Sequence, residues 1–305
     1  MSEQRRLSAG IDIGGTKIAV GLVDRSGQIV CRQSFATPKE FQSAVSSITL
    51  TLGELLRAQA LEFSALAGLG IGCAGPVNPR TGLVNNPYTL PGWEGGNLIT
   101  SLQSRVGLPV YLENDADAAL LGESLAGAAR GFDPVVMLTF GTGIGGAALS
   151  GNAVFRGAAG EHPEIGHVPV MRGGAVCYCG RSGCLESIAS GAAIEKAGQE
   201  HGFHTARDVF VAASVNNSRA KAIIDQALDA TACAAWALLH TFLPQRFVLG
   251  GGIIDDHFRL FASAIQQSID AAAMIPRHEI AVVKAALGND AGLVGAAALA
   301  FRGTG

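Results

Sequence analysis

Residues 7–23 read LSAGIDIGGTKIAVGLV, and residues 134–150 read PVVMLTFGTGIGGAALS. Each is an apolar, β-branched run, a glycine cluster and a second apolar run, which predicts strand, glycine turn and strand. The recurrence is a weak internal duplication and predicts two similar halves. Working outward, apolar runs at 29–37, 66–72, 110–113, 247–249 and 280–285 predict further strands. Stretches rich in helix formers at 38–62, 98–106, 116–130, 188–201, 206–213, 219–242, 258–273 and 291–301 lie between and after them. Strands interleaved with helices predict an α/β fold. Residues 77–96, rich in Gly, Pro and Asn, predict an exposed loop or short hairpin.

Composition narrows the class. A hydrophobic share of 48% against 15% charged residues excludes a disordered chain. A net charge of −3 leaves no basic footprint for nucleic acid and no polybasic membrane signal. No apolar leader precedes the first strand, and the apolar stretch at 234–243 is too short to span a bilayer, so a cytoplasmic protein is expected. Of the 6 cysteines, Cys31, Cys73 and Cys233 read as buried apolar residues.

Three glycine turns can carry phosphate chemistry. The first is Asp12-Ile13-Gly14-Gly15-Thr16-Lys17. Its glycines let backbone N–H groups approach phosphate oxygens, Thr16 and Lys17 add a hydroxyl and a positive charge, and Asp12 can hold a metal-bound water. The second, Gly141-Thr142-Gly143-Ile144-Gly145-Gly146, repeats that chemistry. The third, Gly250-Gly251-Gly252, lets a nucleotide ring pack close to the main chain. None is a Rossmann or Walker motif, because the first two join strand to strand and no Gly-Lys-Ser/Thr follows four spacers. A glycine hairpin alone is more often structural than functional; three in this order are the stronger sign.

Glu113-Asn114-Asp115-Ala116-Asp117 follows a strand and opens a helix. Ligands of α/β proteins sit at the carboxyl ends of strands, so Asp115 is a candidate base for a substrate hydroxyl, with Asn114 orienting that substrate. The competing reading makes Asn114 or Asp115 a helix cap. Asp117 reads as a surface or capping residue. Further along, His167, Cys177, Cys179 and Cys184 form a complete four-ligand zinc set, and a closed set implies a structural ion rather than a Lewis acid. Glu164 and Glu186 bracket it. His162 reads as a loop residue, since Pro163 and Gly166 break any His-Glu-x-x-His helix.

Together these motifs resemble the ROK family of sugar kinases and repressors, within the sugar kinase/actin/Hsp70-like (ribonuclease H-like) fold. The resemblance spans essentially the whole chain and rests most specifically on Glu164-Ile-Gly-His167 and the segment 177–186. It implies two α/β domains hinged around an interdomain cleft: 1–115 plus 291–305 as the small domain, and 116–290 as the large one, with a zinc-binding loop at 167–184. ATP with Mg2+ would bind through Asp12, Gly14, Gly15, Thr16, Lys17, Gly141, Thr142, Gly143, Gly145, Gly251 and Gly252. The sugar would meet Gly75, Asn86, Asn114, Asp115, Glu164, His167 and Glu186, with Asp115 as base for the 6-hydroxyl. The resemblance also implies a homodimer. Cys73-Ala74 before Gly75-Pro76 and the lead-in Glu161-His162-Pro163 depart from the usual pattern, near the expected sugar site.

The reading is therefore an ATP-dependent hexose kinase, glucose leading, with N-acetylmannosamine or N-acetylglucosamine as alternative acceptors. A repressor would need a helix-turn-helix of about 60–80 residues before the first strand, and too few precede it here. An inactive sugar sensor is disfavoured because Asp115 and both phosphate turns are present.

Overall fold

The computed structural model describes residues 7–275 and 280–303. The reading of the first six residues as lacking a leader lies outside the described residues. The chain divides into two compact units: Met1–Gly131, Val154–Pro163 and Ala286–Gly305 form the first, and Phe132–Ala153 with Glu164–Ala285 the second.

The first unit opens with β1 (Leu7–Ile13), β2 (Lys17–Val23) and β3 (Ile29–Ala36), followed by α1 (Phe41–Ala58), β4 (Leu66–Cys73), α2 (Leu98–Val106), β5 (Val110–Asn114) and α3 (Asp115–Ala126). Its sheet runs β3-β2-β1-β4-β5. β1, β2 and β3 pair antiparallel, whereas β4 and β5 join in parallel. Central β1 is buried almost throughout, as its unbroken apolar run requires, and edge strand β3 exposes Arg32, Gln33 and Ser34. Val45, Ile48 and Leu52 recur on one face of α1 and join Ile11, Val20 and Ile71 in the core.

Two expectations change here. α1 starts at Phe41 rather than 38. The Pro38 carbonyl instead accepts the Trp93 indole N–H at 3.0 Å, and Phe41 packs edge-on against that ring. The segment 77–96 is also not simply exposed, because Val84, Asn86, Leu90 and Trp93 within it are buried.

The second unit contains β6 (Val135–Phe140), β7 (Ile144–Ser150), α4 (Glu186–Ala189), α5 (Gly191–Gln199), α6 (Ala206–Ser214), α7 (Ser218–Phe242), β9 (Arg246–Gly250), α8 (Gly252–Ala271) and β10 (Ala281–Lys284), and the two-residue β8 (Ala153–Val154) falls on the boundary between the units. The sheet order β10-β9-β6-β7-β8 repeats the first, with β6 in the place of β1. The inferred duplication is thus a repeated topology: one antiparallel hairpin extended by parallel strands. Helix α7 is long and apolar enough to cross a membrane by length and composition, yet it packs Ile223, Ile224, Ala227 and Leu239 into the core.

Boundaries in this unit shift too. β7 begins at Ile144 rather than 147, because Ile144 already pairs with Phe140, so Gly145 and Gly146 lie in the strand. The expected helix 188–201 is broken at Ser190, whose hydroxyl caps α5 by accepting from the Ala193 N–H at 3.1 Å. Helix α8 begins at Gly252, one residue after β9, and is kinked at His257, so the helix expected from 258 is its second segment. Cys233, expected to be buried, is exposed on α7, and Cys31 is half-buried on β3; only Cys73 of the three is buried.

The chain then returns to the first unit as α9 (Ala291–Arg302), which packs against α3, β1 and β4. Close approach demands small residues, and a Cβ on Gly70 would collide with the carbonyl of Ala296. The buried Glu123 carboxylate of α3 accepts from the N–H groups of Ala128, Ala286 and Leu287 at 2.6, 3.0 and 2.8 Å. Helix α3 therefore belongs with α9, and the division falls at Gly131 instead of the expected 115.

Candidate active site

Strand register brings the candidate residues of the first unit to one sheet edge. Asp12, Gly72 and Glu113 lie in one row, and Ile13, Cys73 and Asn114 in the next. The parallel strands β1, β4 and β5 thus end together, at the Gly14 turn, at Gly75 and at Asp115. In α/β sheets this is the end where ligands bind. The Gly14 turn is a tight hairpin: its N–H donates to the Lys17 carbonyl at 3.0 Å, and its carbonyl accepts from the Thr37 hydroxyl at 2.7 Å. Gly15, Thr16 and Lys17 face outward.

Asn114 is the α3 cap, accepting from the Ala116 N–H at 2.8 Å. The capping reading thus holds for Asn114 and leaves Asp115 as the first helical residue. Asp115 also accepts from the Ala116 N–H, at 2.9 Å. Its side chain reaches solvent but is closely surrounded by protein, and that burial raises its pKa against the Ala116 hydrogen bond. Asn86 is buried, and its amide is spent within its own loop. It donates to the Ala74 carbonyl and the Thr89 hydroxyl and accepts from the N–H groups of Tyr88 and Thr89. Its hydrogen-bonding capacity is filled, which makes it a brace for the loop.

Burial, reinforced by the charge of Asp115, raises Asp12 to about 6, with Lys17 acting in the opposite direction. The sign of the linkage follows. A raised acid favours the protonated folded state, so its stabilising contribution is present near the ordinary 3.8 and lost as pH rises through about 6. Asp12→Asn is therefore expected to stabilise the ligand-free protein by about 2 kcal/mol at pH 8 and hardly at all at pH 4. Denaturant unfolding at both pH values measures this, and an equal effect at both would contradict it.

Two carboxylates unremarked or misread in the sequence lie beside this edge. Glu113 is buried on β5 and ion-paired with Arg156; burial and then Asp117 raise it to about 7. Asp117, read as a surface or capping residue, is 1% exposed and bonds His162 Nδ1 through Oδ2 at 2.9 Å. His162 is a loop residue as read, but its side chain is only 10% exposed.

In the second unit, the turn after β6 leaves Thr142 and Gly143 exposed, and the Gly141 N–H bonds back to the Gly143 carbonyl at 2.9 Å. Glu186, the first residue of α4, accepts the Ile144 N–H through Oε2 at 2.7 Å. A side chain at position 143 would meet that oxygen at 2.6 Å, so the glycine makes room for the glutamate. Gly251 caps α8. Gly251 and Gly252 therefore present a helix N-terminus rather than a free loop, a polarity suited to anions.

The predicted metal set assembles. Donor atoms of His167, Cys177, Cys179 and Cys184 lie within 4.8 Å of one another. His167 Nδ1 is 3.4 Å from Cys177 Sγ, and Cys179 Sγ is 3.6 Å from Cys184 Sγ. Zn–S bonds of about 2.3 Å in a tetrahedron put sulfurs about 3.8 Å apart, so the four donors fit zinc. Backbone bonds between Cys177 and Arg181, and between Ala175 and Gly183, fold the loop upon itself. His167 Nε2 lies 3.2 Å from the Tyr178 hydroxyl, which also bonds Glu186. Tyr178 is a residue the sequence reading missed, and its place between two cysteine ligands was the available sign. Glu164 is exposed just before the turn that carries His167.

The ROK family model matches residues 8–302. The chain belongs to the ROK family. Among ROK relatives, the glucokinase of Thermotoga maritima is 34% identical over 310 residues, covering 95% of this chain and 96% of its own. The N-acetylmannosamine kinase of Escherichia coli O127:H6 is 33% identical over 294 residues, covering 95% and 97%. The structure of a ROK glucokinase from Streptomyces griseus in complex with glucose and AMPPNP superposes with a TM-score of 0.77 at 33% identity, covering 97% of this chain and 100% of that one. The ROK assignment agrees with two α/β sheets of repeated topology and one His/Cys cluster among the described residues.

Proposed function

We propose that this ROK protein is an ATP-dependent hexose kinase that phosphorylates glucose at its 6-hydroxyl. The observation that carries this reading is Asp115: an accessible carboxylate at the carboxyl ends of three parallel strands, held by a helix N-terminus and with a raised proton affinity. A base so placed accepts the proton of a hydroxyl as its oxygen attacks the γ-phosphorus. The bond from that phosphorus to the β,γ-bridging oxygen breaks, and ADP leaves.

Sugar recognition is assigned to Asn114, Asp115 and Gly75 in the first unit, and to Glu164, His167 and Glu186 in the second. The turns at Gly14–Lys17 and Gly141–Gly145, with Gly251 and Gly252, are assigned to ATP. Asp12 and Thr16 offer the hard oxygen donors suited to Mg2+, which supplies charge neutralisation on the phosphates. Zinc at His167, Cys177, Cys179 and Cys184 would fix the loop between Glu164 and Glu186. A homodimer, a cytoplasmic location and the absence of nucleic-acid or membrane partners complete the proposal.

N-acetylmannosamine is the second reading, because a kinase of that sugar is 33% identical to this chain over 294 residues, against 34% over 310 for a glucokinase. ADP release measured over glucose, mannose, fructose, allose, N-acetylglucosamine and N-acetylmannosamine decides between them. Glucose is expected to give the highest kcat/KM. Turnover with none of the six would overturn the kinase reading, and preference for an N-acetylhexosamine would move the substrate.

A further inference from the structure

His167 has two ring nitrogens and two assigned tasks. Nδ1 faces the cysteine cluster, 3.4 Å from Cys177 Sγ. With Nδ1 turned to the metal set, Nε2 is the one polar atom of His167 left for a sugar. That nitrogen already has a partner, the Tyr178 hydroxyl at 3.2 Å. The Tyr178 ring stands edge-on to the imidazole, with centroids 5.1 Å apart and planes at 86°. The same hydroxyl also bonds Glu186, whose Oε2 accepts the Ile144 N–H at 2.7 Å. Glu164, His167, Tyr178 and Glu186 all belong to the second unit.

We propose that Tyr178 is a specificity-determining placeholder: its hydroxyl occupies His167 Nε2 until a hydroxyl of the sugar replaces it. This rests on the reading of His167 and Glu186 as sugar contacts. The argument is one of capacity. An imidazole nitrogen, protonated or not, offers a single in-plane hydrogen bond. Two hydroxyls therefore compete for Nε2. A phenol and a sugar alcohol each carry one O–H donor and acceptor lone pairs, so a sugar can reproduce the contacts that Tyr178 gives up.

Nothing buried has to move. A metal-ligating histidine ordinarily gives its second nitrogen to a carboxylate, a backbone carbonyl or water. Here the partner is a side chain 70% exposed, between Cys177 and Cys179. Exposed side chains change rotamer within nanoseconds, so the exchange needs no refolding. The loop does not depend on the hydroxyl for its shape, because the Cys177 N–H bonds the Arg181 carbonyl and the Gly183 N–H bonds the Ala175 carbonyl, both at 2.8 Å. The consequence is softened discrimination. A sugar that reaches His167 trades one bond for another, and a sugar lacking that hydroxyl leaves Tyr178 in place and loses little.

Tyr178→Phe removes the competing hydroxyl and keeps the ring against His167. In a binding titration the variant is expected to hold glucose roughly 2- to 10-fold more tightly than the wild type, with the gain seen in KM more than in kcat. Unchanged or weaker glucose binding overturns the proposal. Metal content and melting temperature should match the wild type; a variant that loses zinc or melts lower makes Tyr178 a brace and also overturns it. A crystal structure of the unmodified protein with glucose needs no variant. A glucose hydroxyl is expected on His167 Nε2, with the Tyr178 hydroxyl turned away. Tyr178 still bonded to Nε2 beside a glucose held by Glu164 or Glu186 defeats the placeholder alone. Glucose held by none of Glu164, His167 and Glu186 defeats the sugar-site reading, and the placeholder with it.

Discussion

Asp115→Asn is expected to lower kcat by about 10²- to 10⁴-fold while sugar KM moves only a few-fold. The substitution keeps the size of the side chain and an oxygen able to accept from the Ala116 N–H, so helix α3 should start as before. What it removes is the capacity to take a proton. An acceptor hydroxyl must lose its proton as it bonds to phosphorus, and an amide cannot receive it. The loss should therefore appear in the chemical step, with sugar binding by the neighbouring groups retained. Steady-state kinetics and an independent binding titration test both halves of this expectation. Unchanged kcat would remove Asp115 from its role, and a KM effect alone would make it a binding residue.

The second large effect is expected from Cys179→Ser. Cys179 is one of four donors whose spacing suits a tetrahedral zinc, and it is the most exposed cysteine of the loop. A hydroxyl is a poor replacement for a thiolate, and structural zinc supplies about 10–16 kcal/mol of apparent binding energy in small zinc domains. Much of that energy should hold the segment between Glu164 and Glu186 in one conformation. The variant is expected to purify without zinc, to melt lower and to show a raised sugar KM. Glu186 gives a further reason to expect activity to suffer, since its carboxylate also bonds the Ile144 N–H of the second glycine turn. Metal analysis with thermal unfolding measures the first two effects. A metal-free wild-type protein with full activity and an unchanged melting temperature would sink the idea.

Much of this was legible in the chain because the signals were local. The runs 7–23 and 134–150 carry their strands and turns within themselves, and the four metal donors announce their chemistry by type and spacing. What escaped was set by partners distant in sequence. Asp117 sits in the first turn of a helix, where a carboxylate is ordinarily a solvated cap. Only His162, 45 positions later, reveals it as half of a buried pair. Trp93 turned an apparently open loop inward by bonding the Pro38 carbonyl, 55 positions away. Asn86 is placed at the sugar by the resemblance alone, and a sequence pattern does not disclose that its neighbours occupy its amide. The division at Gly131 was hidden because Glu123, inside α3, is tied to the residues leading into α9.

That last arrangement bears on how the chain is made. The sheet of the first unit leaves the ribosome before the second unit, and the helix that covers Gly70 leaves after it. The second unit holds all its own strands and helices within Phe132–Ala285, so it can close while synthesis continues. The older half must wait with a bare face of small residues until α9 arrives. Stalled or prematurely terminated chains would then carry a finished second half and an uncovered first one, the form that chaperones and proteases should meet most often.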